Sequence, residues 1–554
     1  MKLPGRSGMS SFSLAGRIAG RIANRLTSAG GAIVVFTIGL STAAFIGLSY
    51  WLVSVLMRPC EPVSIRVMYR YEDTDYLPLI YSVARFNVHE FITFGGSGVL
   101  PFPLLFDVPH GAMIALLGDW GFAAADALVM SAWFILFCFI AKIFTSDPRA
   151  VGFIGLVMLI AAGPWDWAGV LPADLKWQFG VTFDVWGFRY TRPFVAGLFM
   201  LALILTTQAI TKSLIEGAAR PGVYALHGVL LGGSAQGDMH LAIIGCFATA
   251  TLYLFLLVTR PFDRLLLKSP IVTAAGFALA VFPMALQYLM GGNAEYTARM
   301  GMFPVDRWRP PMYFDIGDAI ALVTISGLWG AISLLARRYA ASQPRDINLL
   351  LGAISLYVVF SIVAMPLSAS LTGSAFLLYE FHDRRMKFSA LGYVVVFGLL
   401  MVLTYHAWRR KHQVSKRLPF AAELVSATVL AGVAIAGIRS STLIAADRAA
   451  TTVQPRVWEF TEWSALPNYR SDFVKLAAEL SRQQYDNARV LATFDQQLGI
   501  WWVAFQKGYL FIPDPVLSNA PDNVVEERTL QLLYLIGASP DFLVVREEPM
   551  RSVR

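Results

Sequence analysis

Three carboxylates fall within one short stretch, Tyr69-Arg70-Tyr71-Glu72-Asp73-Thr74-Asp75-Tyr76. Tyrosines flank them, and the apolar Leu77-Pro78-Leu79-Ile80 follows directly. An acidic cluster of this kind is commonly a solvated loop. Held beside an apolar phase, however, a carboxyl is harder to ionise, which suits it to act as a general base near neutrality. Adjacent carboxylates are also hard oxygen ligands, so a divalent cation such as Mg or Mn is an open reading here.

A second cluster is cationic: Tyr379-Glu380-Phe381-His382-Asp383-Arg384-Arg385-Met386-Lys387. Arg grips a phosphate through its planar fork, and Lys does so as a point charge. A snorkelling anchor at the end of a membrane span is the plainer alternative. Smaller features accompany it: Arg189-Tyr190-Thr191-Arg192-Pro193, the pair Asp238 and His240, and Arg299, Arg307 and Arg309. None is specific alone, and His240 by itself reads as structural. His89, Glu90, Asp107 and His110 read as loop structure.

These residues must be positioned by a chain with few charges. Hydrophobic residues make up 56% of the 554 and charged residues only 15%, against about a quarter charged in a soluble domain. The apolar residues gather into runs of about 18 to 23, long enough to cross a hydrocarbon core. The formal net charge of +8 comes from basic residues at the ends of those runs. That placement points to membrane topology and away from nucleic acid. The three cysteines, Cys60, Cys138 and Cys246, show no metal-binding or disulfide spacing.

Spans are predicted at about 32–56, 124–143, 150–163, 193–210, 271–289, 315–335, 347–365, 389–407 and 418–437. The stretch 223–258 is read as a hairpin broken at Gln236-Gly237-Asp238-Met239-His240. Charge decides this, because only the hairpin leaves every cytoplasmic loop basic. About eleven spans result. The expected fold is a mainly α, polytopic transmembrane helix bundle, N-in and C-out, with a small extracytoplasmic α/β domain. Residues 1–437 form the transmembrane module, 58–123 its large first outer loop, and 438–554 the tail domain. Leu100–Leu117, broken by Pro101, Pro103, Pro109 and Gly111, is expected to lie at the interface as short helices. The clusters described above then share the outer face. A pocket that handles a lipid-linked phosphate needs this combination of carboxylates, histidine and cations.

This pattern resembles the GT-C superfamily of membrane glycosyltransferases. The resemblance rests on the topology, on Glu72-Asp73-Thr74-Asp75 soon after the first span, and on the run from Arg189-Tyr190-Thr191-Arg192-Pro193 through Gly228-Val229-Leu230-Leu231-Gly232 to Asp238-Met239-His240. It implies transfer of a sugar from a polyprenyl-phosphate donor to a glycan, lipid or protein acceptor, at the outer face of a bacterial inner membrane. Asp73 would be the base, with Asp75 or Glu72 as alternatives. Arg192, Asp238, His240, His382, Arg384, Arg385 and Lys387 would form the donor-phosphate site. A polysaccharide polymerase or ligase shares the cations but depends less on the carboxylate. A transporter of lipid-linked glycans would place charges in the middle of its spans, where this sequence has almost none.

Overall fold

The computed structural model describes residues 30–48, 79–85, 104–162, 191–260, 264–291, 303–309, 323, 327, 344–375, 378–412, 490–491, 509–512 and 522–537. The predicted span at about 418–437, nearly all of that at about 315–335, and most of the tail lie outside them.

The helices are α1 (Gly30–Leu48), α2 (79–84), α3 (Val108–Leu117), α4 (Gly121–Phe144), α5 (Pro148–Ala161), α6 (Thr191–Glu216), α7 (Pro221–Gly237), α8 (Met239–Thr259), α9 (Arg264–Gly291), α10 (Pro344–Thr372), α11 (Leu378–His412) and α12 (Asp522–Leu535). Among the described residues six helices are long and apolar enough to cross a membrane: α1, α4, α8, and most of α6, α9 and α10. The chain is a multi-pass membrane protein.

Local signals set the helix ends. Asp147 caps α5 by accepting from the Arg149 amide at 3.1 Å, and Pro148 opens the helix. Pro221 opens α7 in the same way, since the first turn has no intrahelical use for the missing N–H. Gly217, at φ +67°, stops α6 in the left-handed conformation that glycine adopts without strain. Pro109 is a start signal too: it stands in the first turn of α3 instead of breaking it.

The core lies between α4, α5, α6, α10 and α11. Trp133, Phe134, Phe137 and Phe144 of α4 are buried in it, and the Trp133 ring fills the space beside Gly197 on α6. Helix α9 stands apart. Ile271, Leu279, Phe282 and Leu289 are exposed along it, as expected of a lipid-facing helix. It joins the bundle through α7 by a backbone-to-backbone seam. A Cβ on Gly228 would run into the Thr273 carbonyl, and one on Gly276 would come within 2.5 Å of the Ala225 carbonyl. Gly228→Leu is therefore expected to pry α9 from α7 at a cost of about 1–3 kcal/mol. The check is a lower unfolding midpoint in detergent.

Two short sheets complete the described residues. Phe303–Pro304 (β1) pairs antiparallel with Ser374–Ala375 (β2), so a segment beyond α9 meets the end of α10. In the tail, Val490–Leu491 (β3) and Tyr509–Leu510 (β4) pair in parallel.

The two ends of the bundle differ in charge. Lys142, Arg149, Lys212, Arg220, Arg260 and Arg264 lie at the end where α4 and α6 finish. There the Lys212 ammonium sits 2.6 Å from the Asp346 carboxylate, joining α6 to α10. The opposite end carries the residues that could do chemistry.

Candidate active site

The predicted hairpin break is present. Helix α7 ends at Gly237 and α8 begins at Met239, with Asp238 between them in extended backbone. The Asp238 side chain turns back to cap α8: its Oδ1 accepts from the amides of His240 at 3.0 Å and Leu241 at 3.3 Å. Those amides would otherwise lack acceptors in the first turn. The other oxygen, Oδ2, accepts from Nε of Arg384, in the second turn of α11. The His240 Nδ1 stands 3.4 Å from Oδ1.

This is a buried ion pair. The side chains are 4% exposed for Asp238 and 12% for Arg384. Burial on its own would push the Asp238 carboxyl up. The Arg384 charge and the His240 contacts outweigh burial and hold it well below the ordinary carboxylate range. The carboxylate is therefore a fixed anion whose job is local: it ends one helix, starts the next and orients a guanidinium. Guanidinium carries five N–H donors in a planar fork, and the Nε–H is the one directed to Asp238.

Arg384 is supported from below. One turn further along α11, Phe388 is fully buried and stacks on Tyr357 of α10, with ring centroids 5.3 Å apart at 18°. The Tyr357 hydroxyl pairs with Thr207 of α6 at 3.2 Å. Beside it, His227 of α7 bridges Thr206 at 2.7 Å and Thr249 of α8 at 2.8 Å. Side-chain hydrogen bonds and stacked rings thus tie five helices, α6, α7, α8, α10 and α11, together beneath the ion pair. Lys387 follows Arg384 by three positions, so the two share a helix face.

A wall comes from the segment before α3. Leu105–Asp107 forms a single 3-10 turn, and the Phe106 ring occupies the space where a Cβ on Gly237 would lie. Phe106 also meets Phe199 of α6 at 4.8 Å between centroids. Glycine at 237 thus admits an aromatic ring directly behind Asp238.

Asp238, His240 and Arg384 come together, with Lys387 one turn away. Arg192 lies in the first turn of α6, and His382 and Arg385 lie in α11; the side chains of these three are outside the described residues. Glu72, Asp73 and Asp75 also lie outside them, as do His89, Glu90 and Arg299. Arg307 reaches the Thr372 carbonyl at 3.4 Å, at the end of α10. Among the described residues no group of three or more His, Cys, Asp or Glu side chains is placed to hold a metal ion.

Sequence reasoning missed two features. Tyr357 and Phe388 sit in apolar runs, where an aromatic residue reads as core filler. His110, taken for a loop residue, is fully buried and contacts Asp126 of α4 at 2.8 Å. A lone acid inside an otherwise apolar span was the available signal.

No family model matches the chain, and no curated protein does. The chain is similar to archaeal oligosaccharyltransferases. One is the crystal structure of the Archaeoglobus fulgidus enzyme tethered by a disulfide to an acceptor peptide containing the NVT sequon. It shares 11% identity at a TM-score of 0.39, over 90% of this chain and 68% of that one. The other is AglB from the same organism in complex with an inhibitory peptide and a dolichol-phosphate, with 13% identity at a TM-score of 0.37 and the same coverage.

Proposed function

We propose that the protein is a GT-C-type glycosyltransferase. It moves a sugar from a polyprenyl-phosphate donor to an acceptor at the extracytoplasmic face of a bacterial inner membrane. The observation that carries this reading is the buried Asp238–Arg384 pair at a bundle mouth, with Lys387 and His240 beside it. Counting Asp238 against Arg384 and Lys387, the cluster has an excess of cation even before His240 is considered. A partly buried cation held by a buried carboxylate is pre-organised to meet an anion.

In the reaction, a carboxylate of the first loop, Asp73 or else Asp75 or Glu72, takes the proton from the acceptor hydroxyl or amide. The acceptor atom forms a bond to the anomeric carbon. The bond from that carbon to the phosphate oxygen breaks, and its electron pair leaves with the polyprenyl phosphate. Phosphate leaves readily, so the cations have one main task, to stabilise the charge that develops on it. Arg384 and Lys387 do this directly, with Arg192, His382, Arg385 and His240 around them. Asp238 acts through Arg384. The basic opposite end fits a cytoplasmic placement under the positive-inside rule.

The test is turnover of labelled polyprenyl-phosphate hexoses and pentoses by the purified protein in lipid nanodiscs. The expected result is donor-dependent release of polyprenyl phosphate, slowed about 10²–10³-fold by Arg384→Met. Failure to consume any donor in the panel by well-folded protein would overturn the proposal. Turnover unaffected by Arg384→Met would reject the assigned phosphate site.

A further inference from the structure

The His110–Asp126 contact joins more of the molecule than a loop contact needs to. His110 is fully buried, and its Nε2 lies 2.8 Å from Oδ1 of Asp126. A carboxylate at that position accepts, so Nε2 carries the proton and the imidazole orientation is fixed. Asp126 stands near the start of α4, and its backbone carbonyl lies where α1 passes: a Cβ on Gly47 would be 2.6 Å from it. On the other side, Gly111 follows His110 and presses against α2, where a Cβ would meet Val83 at 2.6 Å and the Ile80 carbonyl at 2.9 Å. The acidic motif ends at Asp75, and α2 opens at Leu79. One helical turn before His110 comes Asp107, itself fully buried, and next to it Phe106, seated behind Gly237.

An apolar pair would hold α3 on α4 as firmly as this polar one, because buried polar groups have a desolvation cost to offset. What the hydrogen bond adds is direction: it fixes both the rotation and the register of α3. Rotation of α3 sets the seat of Phe106 behind Asp238 on one side and the contact with α2 on the other.

We propose that His110 and Asp126 form a positioning latch, which holds α3 so that the Asp238–Arg384 site and α2 keep one geometry. The structural part stands on the contacts above. The catalytic part rests on the glycosyltransferase reading.

Hydrogen–deuterium exchange and transfer kinetics test it together on the full-length protein in nanodiscs. In His110→Ala, amide exchange is expected to rise about ten-fold or more in residues 108–117, and also at residues 239–241 across the Phe106 contact, in line with the loss of a charge-assisted hydrogen bond. Exchange in Pro148–Ala161 should stay as in the wild type, which shows that the bundle remains folded. His110→Gln, which keeps an N–H donor, and Asp126→Asn, which keeps an acceptor, should restore most of the protection. Turnover should fall in kcat with donor KM nearly unchanged in His110→Ala, and recover in His110→Gln. Loosening confined to 108–117, with 239–241 unaffected, would show local packing only and overturn the latch. So would unchanged exchange throughout. If the wild type turns over no donor, the glycosyltransferase reading fails, and the exchange results still decide the latch.

Discussion

Arg384→Met is expected to lower stability by about 3–5 kcal/mol, because it leaves the Asp238 carboxylate buried without its cation. The loss should be much smaller in the double variant Asp238→Asn/Arg384→Met, which removes both charges. A double-mutant cycle on unfolding midpoints in detergent checks this, and simple additivity of the two single losses would contradict it. The pH dependence follows from the direction in which Asp238 is shifted. Its folded-state pKa is depressed, so the stability it contributes is fully present above the ordinary carboxylate value of about 4. That stability is lost only as pH falls through the lower folded value. Between pH 5 and 8 the pair should therefore contribute a constant amount, and a change of midpoint within that window should be the same in wild type and double variant. For activity, removing a pre-organised cation from the departing phosphate should cost about 10²–10³ in turnover. Arg384→Lys should recover part of this, because it restores the charge without the fork.

Asp73→Asn carries the second large effect. Loss of a general base lowers turnover by about 10²–10⁴-fold. The asparagine is nearly isosteric, so the unfolding midpoint should stay close to that of the wild type. Asp75→Asn and Glu72→Gln should cost less. If either costs more than Asp73→Asn, the base is that residue instead. Full activity in all three would remove the carboxylate from the mechanism and favour a polymerase or ligase reading, which leans less on it.

The hairpin break shows what a sequence makes visible. Basic residues at the ends of apolar runs required the chain to reverse within 223–258, and polar Gln236, Asp238 and His240 offered the place. The structure puts the reversal at Asp238, with the side chain serving as the cap that the reversal needs. Topological charge acts over a whole loop, so it survives as a one-dimensional pattern. The pairing of Asp238 with Arg384 was not visible in the same way. Both residues stood out as charges on one face, but their contact depends on α8 and α11 being brought together by the core. The sequence pattern puts Asp238 with the phosphate-binding residues; in the structure its contacts are to Arg384 and to the first turn of α8.

His110 and Asp126 were hidden for a related reason. A tight turn through Gly121, whose Cβ would strike the backbone of Met113 and Ile114, folds α3 back on α4. Proline and glycine in 100–117 read as breaks, whereas Pro109 starts a helix and Gly111 lets α2 approach. Tyr357, Thr207, His227 and Thr249 lie in spans whose lipid-facing and buried residues are equally apolar. Helical periodicity therefore does not reveal which side holds the polar network.

The most direct test of the phosphate assignment is a structure of the protein bound to polyprenyl phosphate. Phosphate oxygens are expected within about 3 Å of the Arg384 guanidinium, with the Nε contact to Asp238 kept. A phosphate bound elsewhere, with Arg384 turned away from it, would rule out Arg384 as the phosphate's cation.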